Sequence, residues 1–125
     1  MERTFVILAG AFGLLGVAAG AFGAHGLREQ LSADMLDIWN TAAHYQLVHA
    51  AALLGAAWAV GRFPGRWTVA AGWLFAAGVV VFSGTLYLLA ITGVGWLGAI
   101  TPLGGTAFIL GWAALAVAAA RGGGR

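Results

Sequence analysis

Few side chains in this chain can do chemistry, and their types and spacing narrow what that chemistry is. Histidine occurs at 25, 44 and 49, tyrosine at 45 and 87, and cysteine not at all. Thr41, Tyr45 and His49 stand at i, i+4 and i+8, so on a helix they form one ridge, with Gln46 at its margin. His44 lies about 140° around the same helix from His49, so a regular helix cannot aim both at one ion. A site built on His49 therefore draws on other segments, where His25, Ser83, Tyr87 and Thr101 are the candidates. Such a set can hydrogen-bond neighbouring helices together, hold a small ligand, relay a proton, or hold zinc, copper or iron through His25 and His49. No His-x-x-x-His pair, phosphate loop, Ser/His/Asp order or paired carboxylate stands out, so no catalytic residue is assigned. Sequence alone leaves any cofactor unknown.

The surrounding residues define what must position these groups. Of 125 residues, 62% are hydrophobic and 8% are charged, too little polar surface for a soluble domain of this length. The chain reads as a membrane protein whose first partner is the lipid bilayer. Its net charge of +2 comes from six arginines and four acids with no basic cluster, which argues against nucleic acid.

Four spans can be traced, at about 5–24, 41–61, 67–91 and 102–120, each near the ~20 apolar residues that cross a bilayer core. In the first, Ala9, Gly13, Gly16, Gly20 and Ala24 fall in a narrow arc where a neighbouring backbone can approach closely. The competing reading is a secretory signal peptide cut after Ala21; a discarded segment has no need of a regular glycine stripe. A short outer amphipathic segment at 27–40 carries Arg28, Glu29, Asp34 and Asp37. Ser32 suits a helix N-cap, and the helix it starts is expected to run without a break over 33–61, roughly 40 Å. Trp39 is then expected near the membrane interface.

Pro64-Gly65, between Arg62 and Arg66, makes the next turn. The third span is expected to be one continuous helix with Gly72, Ala76, Ser83, Tyr87 and Ala90 on one face. Thr101-Pro102 is a natural start for the fourth, since proline is tolerated in a first turn. Its small-residue face is Ala107, Gly111, Ala114 and Ala118, and the tail at 121–125 is expected to fray. The packing glycines to watch are thus Gly13, Gly16, Gly20, Gly72 and Gly111.

With four crossings, Arg3, Arg62, Arg66, Arg121 and Arg125 share one side and Arg28 stands alone on the other. The positive-inside rule then puts both termini in the cytoplasm. The predicted fold class is an all-α, polytopic four-helix transmembrane bundle. The histidine ridge, Ser83, Tyr87 and Thr101 all fall toward its outer face. His49 is expected within reach of at least one of His25, Ser83 or Tyr87, because an unpaired imidazole at this depth is costly.

Residues 20–27 (GAFGAHGL), Thr41-Ala42 with Tyr45-Gln46 and His49-Ala50, residues 82–87 (FSGTLY), and residues 100–105 (ITPLGG) followed by Gly111-Trp112 carry a family resemblance. The chain resembles domain-of-unknown-function family 423, small bacterial membrane proteins with animal relatives called transmembrane protein 256. The resemblance implies a multi-pass membrane protein of unassigned biochemistry, and it implies that residues 20–27 belong to the working protein.

The function these readings favour is non-enzymatic: an inner-membrane protein acting as an accessory or structural subunit, or as a small-ligand binder near its outer face. The small-residue faces suit close association within one protomer, in a homo-oligomer or in a larger membrane complex. The alternatives are a channel, transporter or proton path, which would need polar residues leading to the cytoplasmic side, and a metal- or haem-binding membrane protein.

Overall fold

The computed structural model describes residues 1–122. It contains helices α1 (Glu2–His25), α2 (Ala33–Arg62), α3 (Arg66–Gly78), a π-helical segment (Val79–Ser83), α4 (Gly84–Thr92) and α5 (Leu97–Gly122). No strand occurs among the described residues. Since α3, the π segment and α4 follow one another without a break, the chain makes four helical passes, as the composition predicts. Glu2–His25, Arg66–Thr92 and Leu97–Gly122 are each long and apolar enough to cross a membrane alone. The remaining pass, α2, carries Asp34, Asp37, two histidines and Gln46, and it is the pass most enclosed by the others. Polar side chains are tolerated at membrane depth when they face a bundle interior; Gln46 and His49 do so, whereas Asp34, Asp37 and His44 are exposed.

Packing follows chain order. Helix α1 lies along α2, α2 packs on α3 and α4, and α5 lies chiefly against α3, the π segment and α4. Contact between α2 and α5 is slight, which leaves a gap between them. One end of the bundle is closed by Phe5, Ala9, Leu53, Ala56, Ala71, Phe75 and Ala114. At the other end Leu27, Trp39 and Ala90 pack with Leu31, Leu36 and Tyr87.

Ser32 caps α2 as its position predicts, accepting a hydrogen bond from the Met35 amide at 3.1 Å. Trp39 joins α1 to α2. It is buried, its indole N–H donates to the Ala19 carbonyl at 2.8 Å, and its ring lies 4.6 Å from that of Tyr87. The indole occupies space that only Gly23 leaves open on α1, because a Cβ there would sit 2.6 Å from Trp39 Cδ1.

The α1 seam differs in register from the stripe read in sequence. Its buried positions are Phe5, Ala9, Gly16 and Gly23. Successive sevens keep one line of a helix facing a nearly antiparallel neighbour, whereas the Gly16-Gly20-Ala24 row drifts off it. Gly16 is a close-approach point, with Leu47 Cδ2 2.8 Å from where its Cβ would stand. Around Gly20 nothing lies within 4 Å, so this residue is not part of the seam. Gly13 barely touches, at 4.0 Å from Ala50 Cβ. Gly72 and Gly111 receive the rings of Phe5 and Phe75 as their small size predicts, and Gly78 and Gly104, which sequence reasoning passed over, belong with them.

Two features of the later passes also depart from the sequence reading. The third pass is not regular α-helix throughout: at the end of the π segment, the amide of Gly84, the first residue of α4, faces the carbonyls of Val79, Val80 and Val81. The fourth helix begins at Leu97, a turn before Thr101, and Pro102 stands inside it. Bonds three residues back, from Leu97, Gly98 and Ala99 amides to Val94, Gly95 and Trp96 carbonyls, wind the chain into helix before the proline is reached. The expected fraying of the tail, beyond Gly122, lies outside the described residues.

Candidate functional site

The polar residues singled out in sequence separate into two groups with different partners, anchored on α2 by Gln46 and by His49. In the first, Gln46 links three helices. Its Nε2 donates to the Phe12 carbonyl of α1 at 2.9 Å, and its Oε1 accepts from the Tyr87 hydroxyl of α4 at 2.7 Å. Gly16 makes this possible, because its Cβ would lie 3.3 Å from Gln46 Cγ and hold the amide away from α1. Ser83, turned inward by the π segment, donates to the Ala42 carbonyl at 2.7 Å. On the α4–α5 side the hydroxyls of Thr85 and Thr101 lie 2.7 Å apart. Every polar atom here has a protein partner, and no buried side-chain nitrogen or oxygen among the described residues lacks one. This group fastens helices whose association gains little from hydrophobicity in lipid.

His49 forms the second group and does not meet the neighbours expected for it. Neither His25, Ser83 nor Tyr87 is its partner. Its Nδ1 lies 2.9 Å from the Tyr45 carbonyl one turn back, and its Nε2 accepts the indole N–H of Trp112 at 3.0 Å. An indole only donates, so Nε2 must be the bare nitrogen and Nδ1 must carry the proton. The ring is therefore a neutral imidazole with both nitrogens engaged. It is 3% exposed and stacks on Phe108, the centroids 3.6 Å apart and the planes 8° from parallel.

The histidine pair considered for metal is separated. His25 ends α1 and is exposed, while His49 is buried against α5. Among the described residues no group of three or more His, Asp or Glu side chains is placed to hold a metal ion. Thr41 is exposed and donates only to the Asp37 carbonyl of its own helix, so it too falls outside the cluster. The ridge holds for Tyr45 and His49, whose rings stack, and ends there.

Between α2, the π segment and α5 the bundle is open along one side. The gap is a groove of about 530 Å³ lined by Tyr45, His49, Phe82, Pro102, Gly105, Thr106, Phe108, Ile109 and Trp112. Its walls are mostly rings: Phe82 lies 4.9 Å from Tyr45 and 5.4 Å from Phe108. His49 closes the groove toward the interior. Tyr45 and Trp112 are 41% and 46% exposed, which sets them at the open side.

Sequence reasoning missed Phe108 and Trp112 in this role. The available signal was their i, i+4 spacing on α5 together with the need of a membrane-depth indole N–H for an acceptor. It also underrated Gln46, which is the center of the first group rather than the margin of the second. The π segment had a fainter sign, the β-branched run Val79-Val80-Val81, which crowds a regular helix. Such segments recur at functional sites, and this one carries Phe82 to the groove and Ser83 to the core.

Comparison with known proteins gives a consistent picture. The family described as "Protein of unknown function (DUF423)" matches residues 19–105. The UPF0382 membrane protein YwdK of Bacillus subtilis (strain 168) is 45% identical over 120 residues, covering 95% of this chain and 98% of the relative. A UPF0382 membrane protein of Staphylococcus epidermidis is 44% identical over 119 residues, covering 93% and 94%. A Staphylococcus saprophyticus relative, UPF0382 membrane protein SSP2132, is 43% identical over 118 residues, covering 92% and 95%. No solved structure matches the chain.

Proposed function

The chain belongs to the DUF423 family of membrane proteins, and from that premise we propose that it is a non-enzymatic inner-membrane binder that holds one chain-bearing amphiphile in the groove beside His49. The carrying observation is the lateral opening, about 530 Å³, whose aromatic walls come from α2, the π segment and α5. A cleft at membrane depth that opens sideways admits a molecule already in the bilayer, and rings offer a hydrocarbon chain close contact without a hydrogen bond. The Tyr45 hydroxyl at the open side is the polar group left for a headgroup. His49 contributes as a wall, since both of its nitrogens are engaged within the protein.

Two further observations favour binding over the alternatives. A channel or proton path requires polar groups through the bundle, but Phe5, Leu53 and Phe75, all fully buried, close the end beyond His49. Gly16, Gly72 and Gly111 are occupied by contacts inside the protomer, so they do not call for a partner subunit.

The test is native mass spectrometry and lipid analysis after purification in mild detergent, comparing the natural protein with Gly105→Leu. A Cβ at Gly105 would make only ordinary contact, 3.8 Å from the Phe82 ring, so leucine fills the groove without forcing the helices apart. The natural protein should retain one chain-bearing molecule, and the variant should lose it at unchanged thermal stability. Equal retention by both proteins, or none by either, overturns the proposal.

The orientation belongs to the same proposal. Glu2 lies beside Gly61 and Phe63 beside Gly122, so the start of α1, the Arg62 to Arg66 turn and the end of α5 share one end of the bundle. Among the described residues that end collects Arg3, Arg62, Arg66 and Arg121, against Arg28 at the other, which favours a cytoplasmic placement. Reporter fusions at the carboxyl terminus and near Ser32 should report opposite sides, the carboxyl terminus cytoplasmic; a periplasmic carboxyl terminus reverses the sidedness.

A further inference from the structure

The groove beside His49 restricts the headgroup that can enter it. No arginine, lysine, aspartate or glutamate lines it, and its one histidine is neutral with both nitrogens engaged. A charged headgroup would lose its hydration there and meet nothing of opposite sign, a cost that membrane depth makes large. The hydrogen-bond donors are as few. The Trp112 N–H is directed to His49, and the Thr106 hydroxyl donates to the Pro102 carbonyl at 2.8 Å, so neither has a proton to offer. Among the described residues the Tyr45 hydroxyl has no hydrogen-bond partner, and the residue is 41% exposed at the open side. An occupant that completes this groove is therefore uncharged and presents an acceptor to one phenolic proton.

The rings add a shape. Phe108 lies 8° from parallel with His49 and 12° from parallel with Tyr45, and the Tyr45 and His49 planes differ by 11°. Phe82 stands across this set, tilted 54° to both Tyr45 and Phe108. A flat ring entering parallel to the three aligned planes meets Phe82 obliquely, as aromatic faces and edges prefer. Aromatic faces are negative, so a ring that carbonyl groups have depleted of electrons can lie on them without the repulsion that offsets like rings.

We propose that the groove takes a quinone, its ring along the aligned aromatic faces, one carbonyl accepting from the Tyr45 hydroxyl, and its hydrocarbon tail leaving sideways into lipid. This rests on the groove being a site for a chain-bearing amphiphile and adds the chemical class of the headgroup. A phospholipid fits less well, because its phosphate would find a single donor and no cation.

The experiment uses the full chain in phosphatidylcholine nanodiscs, titrated with decyl-naphthoquinone and with decyl-naphthalene, which has the same ring system and tail without the carbonyls. Bound probe is counted by native mass spectrometry. The natural protein should bind the quinone about tenfold more tightly, as one well-made hydrogen bond allows. Tyr45→Phe keeps the ring and removes a hydroxyl that no protein group uses, so it should erase most of that preference at unchanged thermal stability. Gly105→Leu should lose both probes. Equal binding of the two probes by the natural protein, or an undiminished preference in Tyr45→Phe or Gly105→Leu, overturns the proposal. If Gly105→Leu expels a phospholipid that the quinone cannot displace from the natural protein, the quinone assignment falls and the groove stands. If it expels nothing and neither probe binds, both fall.

Discussion

Gly104→Ala is expected to destabilise the bundle by at least about 1–3 kcal/mol, although it adds one methyl group. A Cβ at Gly104 would stand 2.7 Å from both Cα and Cβ of Phe82 and closer still to its amide nitrogen. Two of these are backbone atoms, which cannot rotate aside, so α5 would have to move away from the π segment. That movement would part the Thr85 and Thr101 hydroxyls and widen the groove at Phe82 and Gly105. Gly20→Ala is the control. Nothing lies within 4 Å of its Cβ position, so the higher helix propensity of alanine should leave stability equal or improved. Unfolding midpoints in detergent for the two variants decide the matter: a Gly104→Ala protein as stable as the natural one would show that this helix contact is misplaced.

His49→Ala should cost roughly 2–3 kcal/mol, whereas His49→Phe should stay within about 1 kcal/mol of the natural protein. The imidazole fills a slot between Phe108, 3.6 Å away, and Phe75, 5.6 Å away, and alanine leaves a void there whose lining loses its contacts. Phenylalanine restores the volume and forfeits the bond from Trp112. Interhelical hydrogen bonds in membranes average about 0.6 kcal/mol, less than the cavity costs. The indole, 46% exposed at the groove, can turn toward another acceptor. Reversible unfolding in mixed micelles measures both changes. If His49→Phe proves as damaging as His49→Ala, the hydrogen bond rather than the ring volume holds this site together.

How far the site could be read in the chain differs from residue to residue. Tyr87 and Gln46 were legible as polar groups at the same depth, and their bond joins α2 and α4 as such groups must once lipid replaces water. His49 was legible as a residue that needs partners, but the partners were not. Several other residues at that depth can accept or donate, and the rotation of α5 about its axis selects Trp112. His25 looked equivalent to His49 by type, yet it sits exposed at the end of α1.

The order of apolar stretches and the Ser32 cap determined the membrane class, the four passes and the start of α2, because each depends on local composition or on neighbours within a few residues. Which faces meet was decided only in three dimensions. Gly16 and Gly20 are the same residue four positions apart, but a seam repeating every seven residues buries one and leaves the other open. The π segment sets the phase of α4 against α5, and with it whether Phe82 faces the groove and Ser83 the core. Those choices rest on long-range contacts between passes, which no local window of sequence contains.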